Sequence, residues 1–342
     1  MAKCSKDAYK SIEQLIIQEN FGNKIISIDK IMGGLSHRIY KVITDKGVYA
    51  VKELNSGIMK RKEAYNNFVF SEKVANIAKQ NGINAVEAIK IKNDIMKQID
   101  NKYYMIFNWI DGKILEENEI NMHHCKIMGE ALAKIHNIDF KGIEDENKKI
   151  CEVEIFEWSR YIDTAEKQNK KYVNLLKNSL NSINDISQKI NDALKYVNKK
   201  LVISHLDLDK KNIIWQGYNP FIIDWEASGY VNPIIELAQV AWYWSGGDIT
   251  NIDYKKYKAI VDTYKKYSKF EIDKNVEKYI YWDFYNEFTW LNYNLKRTLF
   301  LKNEYEVDEM ELIENEVVQS LVEINYKDRQ MDTIIGIIKK NW

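Results

Sequence analysis

Apolar and polar positions change their period partway along the chain. From about residue 24 to 110 the apolar residues come in short runs broken by turn formers, the pattern of strands. IMGGLSHRIYKVITDKGVYAVKEL (31–54) reads as a strand, a Gly-containing turn, a strand, a turn at Asp45, Lys46 and Gly47, and another strand. KYYMIFNWIDGKIL (102–115) is a further apolar strand that breaks at Asp111 and Gly112, and between the two Ala64 to Gln80 has helical period. From about Glu116 onward helical spacing takes over, in segments 123–138, 155–180, 235–244, 279–300 and 308–324. One interruption stands out there. NIIW (212–215) and FIID (221–224) flank QGYNP, whose Gly217 and Pro220 form turns, so a tight β-hairpin is predicted. The pattern therefore predicts an α+β chain: an antiparallel sheet with one main helix, then a mostly helical remainder.

That hairpin turns a question of fold into one of chemistry. It brings Asn212 and Asp224 side by side, and two oxygen ligands with room for water and phosphate oxygens suit magnesium. Asp207, five residues before Asn212, is then free to face an acceptor hydroxyl. Phosphoryl transfer needs this set, one carboxylate on the hydroxyl and an Asn with a second carboxylate on the metal. Each residue alone reads as a turn carboxylate or a cap; together and in this order they read as a site. Upstream, Gly33 and Gly34 let backbone N–H groups approach phosphates, and Ser36 adds a hydroxyl, although a Gly pair by itself is most often a plain turn.

HLDLDKKNIIWQGYNPFIIDWE (205–226) resembles the catalytic and metal-binding segment of the aminoglycoside phosphotransferase and choline kinase superfamily. That pattern is His-x-Asp, four residues, Asn, then Ile-Asp-Trp/Phe-Glu. The resemblance implies a protein-kinase-like bilobal fold with an N-lobe over 1–107, a connector over 108–112 and a helical C-lobe over 113–342. It implies Asp207 as the catalytic aspartate, His205 as a brace for its loop, Asn212 and Asp224 as ligands of Mg2+, and ATP or GTP as co-substrate. YAVK (49–52) is similar to the third-strand motif of kinases, which gives Lys52 to the phosphates and makes Ala50 and Val42 walls of the adenine pocket. Backbone groups near Phe107 and Trp109 are expected to hold the adenine edge. Glu72, with Glu63 as the alternative, is expected to hold Lys52. The departures are Leu206 where Gly is common, and Lys210 and Lys211 where Pro and Gly usually precede the Asn; they bear on loop shape and remove no reacting group.

The acceptor is less legible. Asp283, Glu287, Trp290 and Asn294 fall at i, i+4, i+7 and i+11, one helix face, and carboxylates beside an aromatic suit a cation. Glu226, Asp283, Glu287 and Trp290 are the candidate acceptor residues, and an aminoglycoside-type antibiotic is favoured over choline or another amino alcohol. An aromatic stripe at this spacing is also what a core helix looks like. Lys plus Arg and Asp plus Glu both number 50, which argues against a nucleic-acid partner. No apolar run approaches ~20 residues and no hydrophobic leader opens the chain, so a cytoplasmic monomer off the membrane is expected. Cys4, Cys125 and Cys151 are scattered and odd in number, without disulfide or zinc spacing. His123, His124 and Cys125 are adjacent and point in different directions on a helix, which argues against a metal cluster. Two rival functions stay in view. His205, Asp207 and Asp209 offer metal-dependent hydrolysis, though no second His-rich segment completes such a site. WIDG (109–112) and the Trp-rich helices also resemble spore-coat-associated kinase-like proteins without a clear substrate, against which stands the full set of Lys52, Asp207, Asn212 and Asp224.

Overall fold

The computed structural model describes residues 2–3, 6–31, 37–143, 153–154, 156–271, 275–301 and 307–340. Gly33, Gly34 and Ser36 lie outside them. Two compact units emerge, one of Met1–Leu115, Ile138–Glu144 and His205–Gly229, the other of Glu116–Asn137, Asp145–Ser204 and Tyr230–Trp342.

The strand pattern of the first unit becomes one antiparallel sheet of order β1-β2-β3-β4-β6-β5. In chain order the elements are β1 (Ala2–Lys3), α1 (Lys6–Gln18), β2 (Ile25–Ile31), β3 (Arg38–Thr44), β4 (Val48–Glu53), α2 (Ser56–Met59), α3 (Ala64–Gln80), β5 (Lys97–Ile99) and β6 (Lys102–Asn108). The sheet carries two substantial helices rather than the one expected. Helix α1 buries Ala8, Ser11, Ile12, Leu15 and Ile16, at i, i+3, i+4, i+7 and i+8, the spacing of a one-sided amphipathic helix. Ala8, Ile12, Leu15 and Ile16 pack with Ile28, Tyr40, Val42, Val51, Tyr104 and Ile106 from one face of the sheet. Phe68 of α3 packs with Leu54, Ala88, Met96 and Met105 in a separate core. Because side chains alternate across a strand, Val51 facing α1 sends its neighbours Ala50 and Lys52 to the other face.

The predicted hairpin forms from β8 (Ile213–Gln216) and β9 (Asn219–Ile222), paired from Ile213 with Ile222 to Gln216 with Asn219. Both of its edges are gripped. Ile222 exchanges backbone hydrogen bonds with Asn84 and Val86 at 2.9 Å each, and Trp215 exchanges them with Lys113 at 2.8 and 3.1 Å. Gly112 permits the second grip, since a Cβ there would stand 2.6 Å from the Trp215 carbonyl oxygen.

The second unit is built mainly of α4 (Met122–His136), α5 (Trp158–Lys167), α6 (Val173–Val197), α7 (Pro233–Trp244), α8 (Tyr254–Tyr267), α9 (Tyr285–Phe300) and α10 (Val307–Lys340); β7 (Val202–Ser204) and β10 (Gly229–Val231) flank the hairpin in sequence. Three predicted helix limits are corrected. The segment 155–180 divides into α5 and α6 around Asn169, whose φ of 52° a continuous helix does not accept. The segment 279–300 begins as a 3-10 turn, Ile280–Phe284, before α9, and the last helix runs to Lys340 instead of 324. Among the described residues no helix is long and apolar enough to cross a membrane.

Candidate active site

The first unit gathers the expected phosphoryl-transfer residues through three local devices. The first is a left-handed turn before Asp207. Leu206 has φ 65°, a conformation that Gly accepts without strain and that costs a Cβ-bearing residue roughly 1–2 kcal/mol. The departure at this position thus keeps the turn and carries the strain. His205 holds the turn from inside. It is fully buried, its Nδ1 accepts from the Asp207 N–H at 3.2 Å, and its Nε2–H donates to the Ile223 carbonyl at 2.9 Å. The edge of the Trp225 ring, 4.7 Å between centroids, fixes the imidazole plane. His205 therefore braces the loop.

The second device is the amide of Asn212. Its Nδ2 donates to both the carbonyl and the Oδ2 of Asp207, 2.8 Å each, which orients the carboxylate and leaves the Asn212 oxygen as the other end of the amide. The Ile223 N–H bonds to the Asn212 carbonyl at 3.0 Å, setting Asn212 against the turn that carries Asp224. Lys211 Nζ stands 3.6 Å from carboxylate oxygens of both Asp207 and Asp209. Burial would lower the Lys211 ammonium's affinity for its proton, and the two carboxylates raise it above the ordinary value.

The third device is a second left-handed residue, Asp224 with φ 61°, which aims its side chain at Lys52. Lys52 Nζ lies 2.8 Å from Asp224 Oδ1 and 2.6 Å from Glu226 Oε2, with only 7% of the residue exposed. Burial works against the charged ammonium, yet Asp224 and then Glu226 outweigh it and raise its pKa. Glu226 Oε2 also stands 3.1 Å from His37 Nε2, and His37 Nδ1 accepts from the Asn55 N–H at 2.9 Å. Burial would lift the Glu226 carboxyl; His37 and Lys52 hold it down at about 2.

Several expected roles are corrected by this geometry. Lys52 is held by Asp224 and Glu226, not by the following helix. Glu72 instead accepts the Ala88 N–H at 2.7 Å, and burial lifts its carboxyl to about 7 against the pull of that N–H and of the Lys52 charge. Glu63 is exposed at the start of α3. Glu226, expected near the acceptor, belongs to the Lys52 cluster. Val42 is fully buried in the core against α1 and pairs across the strands with Tyr49, whereas Ala50 pairs with Lys41 and Phe107 on the Lys52 face. The reason is the period of two, which puts Val42 on the side opposite Lys52. The Trp109 N–H is taken by the Val48 carbonyl at 3.1 Å, and Lys41 lies 4.4 Å over the Trp109 ring. His37 was missed. Its only sequence signal is an imidazole just after the Gly pair, flanked by Ser36 and Arg38.

Magnesium fits the donor set, because Asn212 and Asp224 offer oxygen ligands of which one is charged, the combination a hard cation takes beside phosphate oxygens. Among the described residues no group of three or more His, Cys, Asp or Glu is arranged to hold a metal.

In the second unit the expected acceptor carboxylates have a partner of their own. Lys327 of α10, 2% exposed, lies 2.8 Å from Asp283 Oδ2 and 2.6 Å from Glu287 Oε1, over the rings of Phe284 and Trp242. The cation beside these carboxylates is thus one of the chain's own, 40 positions along from Glu287. Burial raises the Glu287 carboxyl to about 7, Lys327 pulling it down and Asp283 pushing it up. Trp290 is exposed, and its Nε1–H reaches Glu316 at 3.4 Å. Glu323 is also raised, by burial and then by Asp248 and Glu316. His136, the helix-terminal histidine, is buried between Tyr264 and Glu236, 2.7 Å from each.

The sequence profile of the phosphotransferase enzyme family matches residues 27–267. No curated protein matches the chain. Among solved structures, a spectinomycin phosphotransferase in complex with ADP and spectinomycin superposes with a TM-score of 0.67 at 15% identity, covering 93% of this chain and 98% of that one. A choline kinase from Cryptosporidium parvum gives 0.60 at 15% identity over 97% and 98% of the two chains, and an amicoumacin kinase in complex with AMP-PNP, Ca2+ and Ami gives 0.58 at 12% over 94% and 96%. At these identities the likeness is one of fold.

Proposed function

We propose, for a chain that belongs to the phosphotransferase enzyme family, that it moves the γ-phosphate of magnesium-bound ATP or GTP to a hydroxyl of a small cationic molecule, an aminoglycoside-type compound ahead of choline or another amino alcohol. The observation that carries the reading is the linked set Lys52, Asp224, Asn212 and Asp207. Lys52 has three N–H donors and two are used by Asp224 and Glu226, so the third is available to a phosphate oxygen. Asn212 and Asp224 would hold magnesium, which when bound supplies positive charge to the phosphates. Asp207, turned by Asn212 and braced by His205, accepts a hydrogen bond from the acceptor hydroxyl and aligns its oxygen for attack.

For the cationic acceptor the support is local charge. Around the single Lys327 ammonium stand Asp283 and Glu287, with Glu323 near Glu287 and Asp248 and Glu316 near Glu323. Asp283 and Glu287 are both committed to Lys327; the partly exposed Glu323, with Glu316 and the exposed Trp290, is the surface offered to an ammonium. ADP release measured across aminoglycosides, choline, macrolides, sugars and nucleosides tests the assignment. An amine-bearing acceptor is expected to respond, and Asp207→Ala to lower that turnover by about 100-fold or more while nucleotide binding stays intact. A response to neutral acceptors alone defeats the cationic claim. Wild-type turnover with water alone, at the rate seen with any acceptor, defeats the transferase.

A further inference from the structure

We propose that Glu226, oriented by His37, is the positioning residue for the phosphate lysine Lys52, and that Glu72 of α3, which feels the Lys52 charge but makes no hydrogen bond to it, is not. This rests on the phosphotransferase reading and deepens it by naming what holds its lysine. Glu226 Oε2 meets two groups at once, Lys52 Nζ at 2.6 Å and His37 Nε2 at 3.1 Å. The tautomer of His37 follows from its other nitrogen. Nδ1 accepts the Asn55 N–H, so the imidazole proton sits on Nε2, 3.1 Å from the carboxylate oxygen, a close contact that falls short of an aligned hydrogen bond. A backbone N–H at the start of α2 thus fixes an imidazole, the imidazole fixes a carboxylate, and the carboxylate fixes the ammonium.

The link to α3 is of a different kind. Ser71 Oγ lies 3.2 Å from the Glu226 carbonyl, and Phe68 packs edge-on to the His37 ring at 5.9 Å. Both contacts touch the support and neither touches Lys52. Glu72, the carboxylate of α3 at the right depth for the lysine, spends its oxygen on the Ala88 N–H of the connecting chain. A carboxylate two residues after Asp224 has a further consequence, since the same short turn that aims Asp224 also delivers Glu226. Lys52 and Asp224 are then placed by one rigid piece of backbone, which keeps the lysine and the metal ligand in step.

The experiment is a double-mutant cycle on magnesium-ATP and magnesium-GTP affinity, measured by equilibrium dialysis on the full chain with Lys52→Ala, Glu226→Gln and both together. Thermal melts of each variant run alongside. Glu226→Gln is expected to weaken nucleotide binding about 10- to 100-fold, the usual effect of removing a supporting carboxylate. In the Lys52→Ala background it is expected to do almost nothing more, because the residue acts through the lysine. His37→Gln, which leaves both charges in place, gives a smaller loss in the same direction and decides the matter if Glu226→Gln fails to fold. Glu72→Gln is expected to lose no more than about threefold. Glu226→Gln or His37→Gln binding as tightly as wild type, or more tightly, overturns the proposal, since Glu226 would then compete with the phosphates. Full additivity with Lys52→Ala overturns it as well. Wild-type protein that binds neither nucleotide overturns the phosphotransferase reading and this proposal with it, whereas wild-type binding with an indifferent Glu226→Gln overturns the proposal alone.

Discussion

Two residues of the first unit stand in left-handed backbone within the candidate site, and each has a reason. Asp224 at φ 61° turns its carboxylate to Lys52, and Leu206 at φ 65° turns the chain so that Asp207 follows the buried His205. Strain of this size persists only where the surroundings fix it, and here His205, Trp225 and the Ile223 carbonyl do so. Glu72 shows how burial acts on a single group. Its carboxyl titrates at about 7 in the folded protein and near 4.5 when free, so between those values the folded state holds more protons than the unfolded. Stability contributed by that group is present below about pH 4.5 and is lost as pH rises toward 7. Glu72→Gln keeps an acceptor for the Ala88 N–H and cannot ionise. Relative to wild type it is expected to match in melting temperature near pH 4.5 and to gain progressively up to pH 7 and above. A difference that is flat with pH, in melts taken across this range, would show that Glu72 is not the buried acid described.

At the scale of elements, most of the backbone of the candidate site is legible because its signals are local. The hairpin was written in two apolar runs and their turn, and Lys52 in the alternation of a strand. What escaped was set by contacts distant in sequence. Helix α1 was visible in principle, with apolar residues at 8, 12, 15 and 16, yet whether such a segment lies on a sheet is decided by Ile28, Tyr40 and Tyr104. Val42 was put on the wrong face because a resemblance gives the residue and not the side to which it points. Lys327 is the clearest case. Nothing in residues 279–300 announces that a lysine from α10 will sit between Asp283 and Glu287. A buried ammonium between two carboxylates is costly to break from one side, so Lys327→Met is expected to destabilise the protein by about 3–5 kcal/mol. Adding Asp283→Asn and Glu287→Gln in the same chain is expected to restore much of that loss, because no unpaired charge then remains. Denaturant unfolding of the single and triple variants reads both numbers, and a single variant as stable as wild type would mean that the triad carries no structural charge.

Across the whole molecule the charges cancel, 50 basic residues against 50 acidic, so no long-range field draws a cation to the protein as a body. On the proposed reading, attraction for a cationic acceptor would come from a local excess, for which Glu316, Glu323 and Asp248 beside the Lys327 pair are the groups available. Such a site has a particular salt response. The Debye length falls from about 30 Å at 0.01 M to about 8 Å at 0.15 M, so partly exposed carboxylates lose their combined pull on a polycation over this range while direct contacts persist. For an acceptor with several ammonium groups KM is therefore expected to rise several-fold between these ionic strengths with kcat nearly constant, and for a singly charged amino alcohol far less. The buried Lys52 cluster is screened less, so the nucleotide KM should move little by comparison. Steady-state kinetics at the two salt concentrations, with each substrate varied in turn, separates the cases. An acceptor KM indifferent to salt would mean that hydrogen bonds and ring contacts, not the acidic cluster, select the substrate, and would favour a neutral or singly charged acceptor over an aminoglycoside.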